Sequence, residues 1–86
     1  MKTGAIVYVV GDEPERSSAD VKTSVKKLGI KADTVEVVSK NSGHFDVHDA
    51  WRSLIVKGMQ RVLVIMAEYD HTHKLIVTGR KMRLCG

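Results

Sequence analysis

Two unbroken apolar runs, rich in β-branched residues, constrain this chain more tightly than any other feature. Ala5-Ile-Val-Tyr-Val-Val10 and Val62-Leu-Val-Ile-Met66 hold an aliphatic or aromatic residue at every position. A strand with one wet face alternates apolar with polar, whereas a run without alternation belongs to a strand covered on both faces. Both runs fall far short of the roughly 20 residues that span a bilayer. Each therefore predicts a buried strand, the first closed by Gly11 and the second running from Arg61 to Ala67.

The segments between them supply the cover. Ser17 to Leu28 reads as a helix: Ser17-x-x-Asp20 can cap its start, Val21, Val25 and Leu28 form a stripe, and Gly29 stops it. Lys22, Lys26 and Lys27 fall largely off that stripe, as a solvated helix face does. Asp33 to Ser39 alternates, with Val35 and Val37 on one side and Glu36 on the other, and predicts a half-exposed or edge strand. Phe45 to Lys57 is the clearest helix, with Val47, Ala50, Trp51, Leu54 and Ile55 at 3/4 spacing and Gly58 at its end.

Strand, helix, strand, helix, strand in alternation gives a parallel sheet with right-handed crossovers. The two most apolar strands take the middle, so the expected order is 2-1-3. The fold class is α/β: a small open, mostly parallel sheet, a Rossmann-like or flavodoxin-like half, in a single domain over residues 1–86. The tail, Thr72 to Gly86, reads as a β-hairpin, with Leu75-Ile76-Val77 and the Met82 to Leu84 stretch on either side of Thr78-Gly79. A helix is the competing reading, since Leu75, Ile76, Gly79 and Met82 also fit a helical stripe.

Charge is divided along the chain. Residues 1–56 balance eight bases with eight acids, so the whole net charge of +4 belongs to residues 57–86. From Lys74 onward there is no acid. Lys74, Arg80, Lys81 and Arg83 form a basic cluster of the kind that contacts nucleic-acid phosphates. On a hairpin, Lys81 and Arg83 share the solvent face while Met82 and Leu84 pack inward. Aromatic residues are few and read as buried, so contact with backbone or duplex is expected rather than base stacking. No secretory signal or membrane span is apparent, and a lone cysteine, Cys85, agrees with a reducing compartment; the expected location is cytoplasmic.

Ligands of open α/β sheets bind beyond the carboxyl ends of the strands. Gly11, Asp12 and Glu13 follow the first strand, Ser39 to His44 the second, and Glu68, Tyr69, Asp70, His71 and His73 the third. Asp12, Glu13, Glu68, Asp70 and His71 form a candidate set for a divalent metal, with oxygen ligands suited to Mg²⁺. His44-x-x-x-His48 and His71-x-His73 offer imidazoles to Zn²⁺ or a similar ion. Lys40, Asn41, Ser42 and Gly43 precede a helix N-terminus and form a candidate anion site, although no nucleotide-binding glycine pattern is present.

Two families share parts of this pattern. Val9-Val10-Gly11-Asp12-Glu13-Pro14 and the helix after it resemble the opening of response-regulator receiver domains. That family's phospho-accepting aspartate falls near Met66 here, and its hydroxyl and lysine switch positions have no counterpart. The acid after strand one with Glu68-x-Asp70 is similar to the layout of Toprim nucleotidyl-transfer domains. That resemblance implies Asp12 or Glu13 in the general acid/base place and Glu68 and Asp70 on Mg²⁺. The accompanying glycines are missing, and Glu68 stands where that family has an aspartate. Neither resemblance amounts to membership.

Three functions stay open. The first is a non-enzymatic module binding nucleic acid or another polyanion through the basic C-terminal segment. The second is a divalent-metal-dependent enzyme of phosphoryl or phosphodiester chemistry using the strand-end acids. The third is a self-associating or partner-bound subunit, such as a homodimer, because a small sheet with an open edge invites pairing. No membrane partner is expected.

Overall fold

The computed structural model describes residues 2–10, 23–24, 26–39, 46–72 and 74–84. The first apolar run forms strand β1 (Thr3–Val9), and Ala5, Ile6 and Val7 have no exposed surface. Strand β2 (Thr34–Val38) and strand β3 (Arg61–Tyr69) flank it, both parallel to it. Strand β4 (Leu75–Leu84) pairs antiparallel with β3, so the mixed open sheet has the order β2-β1-β3-β4. The expected 2-1-3 order of the first three strands is the one observed.

Alternation along the buried strands divides the core between the two faces of the sheet. Val7, Val9, Val37, Ile65, Ala67 and Leu75 pack together on one face, joined by Leu28 and Ile30. Ile6, Val38 and Val62 pack on the other, against Ala50, Leu54 and Met59. Burying one such aliphatic side chain contributes about 1.5–3 kcal/mol.

The second face is covered by helix α1 (Val47–Val56). Asp46 caps it in an extended conformation, its Oδ1 accepting the Asp49 amide at 2.9 Å. At the other end Gly58 takes φ +83°. Its amide donates to the Ile55 carbonyl, and that of Met59 donates to Leu54. This is a Schellman ending, completed by the apolar contact of Met59 with Leu54. The helix lies over β1 and β2. It therefore buries a narrower stripe than its periodicity predicts: Ala50 and Leu54 are enclosed, whereas Ile55 is 43% exposed.

Thr23, Ser24, Lys26 and Lys27 are helical, and Gly29 at φ +75° follows them, where the first helix was expected to stop. The start of that predicted helix, Ser17 to Lys22, lies outside the described residues. No helix among the described residues is long and apolar enough to cross a membrane.

Of the two readings of β2, half-exposed or edge, the structure shows the edge strand; Glu36, Val37 and Val38 are all buried. Glu36 points to the helix side, where its Oε1 accepts Lys57 Nζ at 2.6 Å and Ser53 Oγ at 3.1 Å. The tail needs correction: it is neither a helix nor a hairpin turning at Thr78-Gly79. It is one ten-residue strand, and the hairpin is the one it makes with β3. The turn sits earlier, at Asp70. The Asp70 Oδ1 atom accepts the Thr72 amide at 2.8 Å, the Thr72 hydroxyl at 2.6 Å and the Lys74 amide at 3.0 Å. An aspartate that gathers the amides ahead of it in this way fixes a turn.

Thr78 and Gly79 mark a bulge instead. Met66 pairs with Gly79 and Ala67 with Val77, so Thr78 is the extra residue. A bulge of this kind changes the parity of the strand. Leu75 and Val77 share the first core face before it, and the even-numbered residues take that face after it.

Candidate functional site

The parity change at Thr78 decides where the basic residues point. Lys81 pairs with Val64 and Arg83 with Val62, so both side chains emerge on the helix face of the sheet. Arg80 pairs with Ile65 and emerges on the opposite face. Lys74 lies at the far end of β4, in the Asp70 turn. The four-residue basic cluster of the sequence is therefore split, and Lys81 and Arg83 share one face of β4. Met82 and Leu84 do not pack inward as expected. They flank Arg80's side of the strand and are 49% and 75% exposed, because no described element covers the sheet there.

Helix α1 stops short of β4, and a groove of about 480 Å³ lies between them. Val47, Trp51 and Val64 form its apolar lining, and His48, Lys81 and Arg83 form its polar one. Among the described residues no carboxylate lines it. Trp51 is half-buried, packed against the second core cluster while it also lines the groove. Its helical spacing with Val47 and Leu54 gave the sequence only a core residue. That β4 would stand beside it, leaving the ring partly open, was the missing fact.

The groove lies on the face of the sheet rather than beyond the strand ends. At the strand ends, Glu68 is exposed on β3 opposite Ile76, and His71 is exposed in the turn. Asp70 is engaged by the turn. The Thr72 hydroxyl, then the Lys74 amide, hold its carboxyl down at about 2. Among the described residues no three of His, Cys, Asp and Glu come together as a ligand set. Asp12 and Glu13, the other members of the candidate metal set, lie outside the described residues, as do His44, His73 and Cys85. The candidate anion site at Lys40, Asn41, Ser42 and Gly43 lies outside them too.

A second hollow, of about 330 Å³, borders β2 between Lys26, Asp33, Glu36 and Lys57. Its acids are committed to the fold. Glu36 holds Lys57 and Ser53, and Asp33 Oδ2 accepts the Thr3 amide at 2.8 Å while its own amide donates to the Thr3 carbonyl. Comparison with family models, curated proteins and solved structures finds no match, so the groove's chemistry rests on its own residues.

Proposed function

We propose that the protein is a non-enzymatic binding module for a nucleic acid or similar polyanion, which it engages through Lys81 and Arg83. One observation carries the reading. Two basic side chains stand on the same face of an edge strand, beside a groove with no described carboxylate. Phosphate groups find complementary charge there, and the field of residues 57–86 attracts them. Arg52, one helical turn from His48, adds to that field from α1. In this reading the parallel 2-1-3 part of the sheet is a flavodoxin-like half. The antiparallel β4 then stands where a further parallel strand would continue, and presents the cations.

The test is a fluorescence-anisotropy titration with labelled oligonucleotides across a range of salt. Binding is expected to weaken linearly on a logarithmic salt scale, with a slope of about −0.7 per phosphate neutralised on a single strand. The Lys81→Ala/Arg83→Ala variant loses about 1.4 of that slope, since two contacts are removed. Arg80→Ala, on the opposite face, leaves the slope nearly unchanged. Absence of binding at low salt, or equal loss from the two variants, overturns the proposal.

A further inference from the structure

We infer that the groove seats a nucleobase against Trp51, so that the nucleic acid bound is single-stranded. This rests on the polyanion reading and names the substrate class of the same site. Apolar side chains alone would make the groove a patch for any greasy partner, and cations alone would make β4 a surface for any phosphate. The two occur together here. Val47 and Val64 flank Trp51 on the lining, and Lys81, which pairs with Val64, rises beside them. Arg83 follows two residues along the strand, about 7 Å away at the rise of an antiparallel strand. That distance matches the separation of successive phosphates in an extended single strand.

A flat apolar body carrying an anion on either side is the chemistry that fits, and a nucleotide within a strand has that form. The groove falls in the size range of small-ligand sites, which run from about 300 to 1,000 Å³. Bases in a duplex are paired and stacked, so a duplex can offer only its phosphates to Lys81 and Arg83. Aromatic platforms beside a basic track are the usual means of holding single strands without regard to sequence. His48 lines the same groove, and an imidazole can hydrogen-bond a base edge or a sugar hydroxyl.

Trp51 is the one tryptophan of the chain, so its fluorescence reports on the groove directly. The full chain is titrated at low salt with four probes: an oligothymidylate, an abasic oligonucleotide of the same length, a duplex, and polyglutamate. The oligothymidylate is expected to quench Trp51 and to bind roughly fivefold or more tightly than the abasic strand, as stacking of one base provides. Trp51→Leu brings the two affinities together, and Trp51→Phe keeps most of the difference, with far-UV circular dichroism checking the fold of each. If Trp51→Leu does not fold, the comparison of base-bearing and abasic strands on the unaltered protein decides alone. Equal affinity for those two strands, or a duplex bound as tightly with Trp51 fluorescence unmoved, overturns the base seat and leaves the polyanion reading standing. Polyglutamate bound as well as the oligothymidylate also overturns it, in favour of an acidic protein partner. No binding by any probe removes both readings.

Discussion

Gly4 sits where β1 passes under the end of α1, and replacing it tests how tightly the helix is seated. A methyl group at Gly4 falls 2.9 and 3.0 Å from the two Leu54 methyls and 3.1 Å from Met59 Cγ. Ordinary carbon contacts are about 3.5–4.0 Å. Leu54 has no exposed surface and Met59 has 7%, so neither side chain can swing out into solvent. The added methyl must instead lift α1 from the sheet, at about 1–3 kcal/mol. Loss of glycine's freedom in the unfolded chain returns about 0.4–1 kcal/mol. The expected net loss for Gly4→Ala is about 1 kcal/mol, with an upper end near ~2.5 kcal/mol. Leu54→Ala alone costs about 2–5 kcal/mol, mostly through the cavity it leaves. In the double variant the new methyl enters that cavity. It is therefore expected to be about 1 kcal/mol more stable than the summed single losses. Urea unfolding followed by circular dichroism and by Trp51 fluorescence measures all three. A stabilising Gly4→Ala, or single losses that add within about 0.5 kcal/mol, would refute the reasoning.

The Asp70 turn gives a dependence on acid. Its folded carboxyl titrates at about 2, below the ordinary carboxylate value of about 3.9. The turn's contribution is thus complete above about pH 4 and lost as pH falls toward about 2. Denaturant midpoints measured between those limits should fall, and Asp70→Ala should remove that part of the fall. Deleting Thr78 should leave the protein folded, since the pairing of Val77 with Ala67 and Gly79 with Met66 then becomes regular. Nuclear magnetic resonance contacts between Lys81 and Val64 that vanish in the deletion variant would contradict the bulge. Gly58→Ala forces a Cβ into a left-handed conformation at φ +83° and should cost about 1–2 kcal/mol in thermal or urea unfolding.

The sheet was legible because its strongest determinant is local. Runs such as Ala5 to Val10 and Val62 to Met66 carry their two-sided burial in their composition, and the 2-1-3 order follows from which strands need cover. The end of α1 was legible for the same reason, since Gly58 stands where a left-handed residue is required. The tail was not. Leu75 and Val77 are odd-numbered apolar positions, and Met82 and Leu84 are even-numbered ones. A parity change across a Thr-Gly pair looks identical whether the chain turns back or bulges. Only pairing with β3 distinguishes them, and that pairing is long-range. The Asp70 turn was hidden for a related reason: the amides of Thr72 and Lys74 reach its carboxylate only once the chain has turned. The same distance hid the groove. Trp51 and Lys81 lie thirty positions apart and meet only because the bulge turns Lys81 toward the helix.

The position of β4 also bears on self-association. An edge strand of ten residues is an open template for a second copy. A two-fold pairing centred on Lys81 sets each Lys81 opposite its own copy. A pairing centred on Met82 sets Lys81 opposite Arg83. Like charges directly opposed across strands are destabilising, and the Thr78 bulge further interrupts the edge. Cations and a bulge on an edge are means by which sheets avoid pairing with their own kind. That protective role accounts for the charges of β4 by itself. It does not account for a tryptophan left partly open beside two of them, on a wall where no described residue carries a negative charge. Edge protection asks only that the strand be charged, whereas a base seat asks that Lys81 and Arg83 be on the same face as Trp51. The separation of Arg80 from those two residues is therefore the feature to press: protection predicts that all three cations matter alike for keeping the protein monomeric, and binding predicts that only the two beside Trp51 matter for the strand.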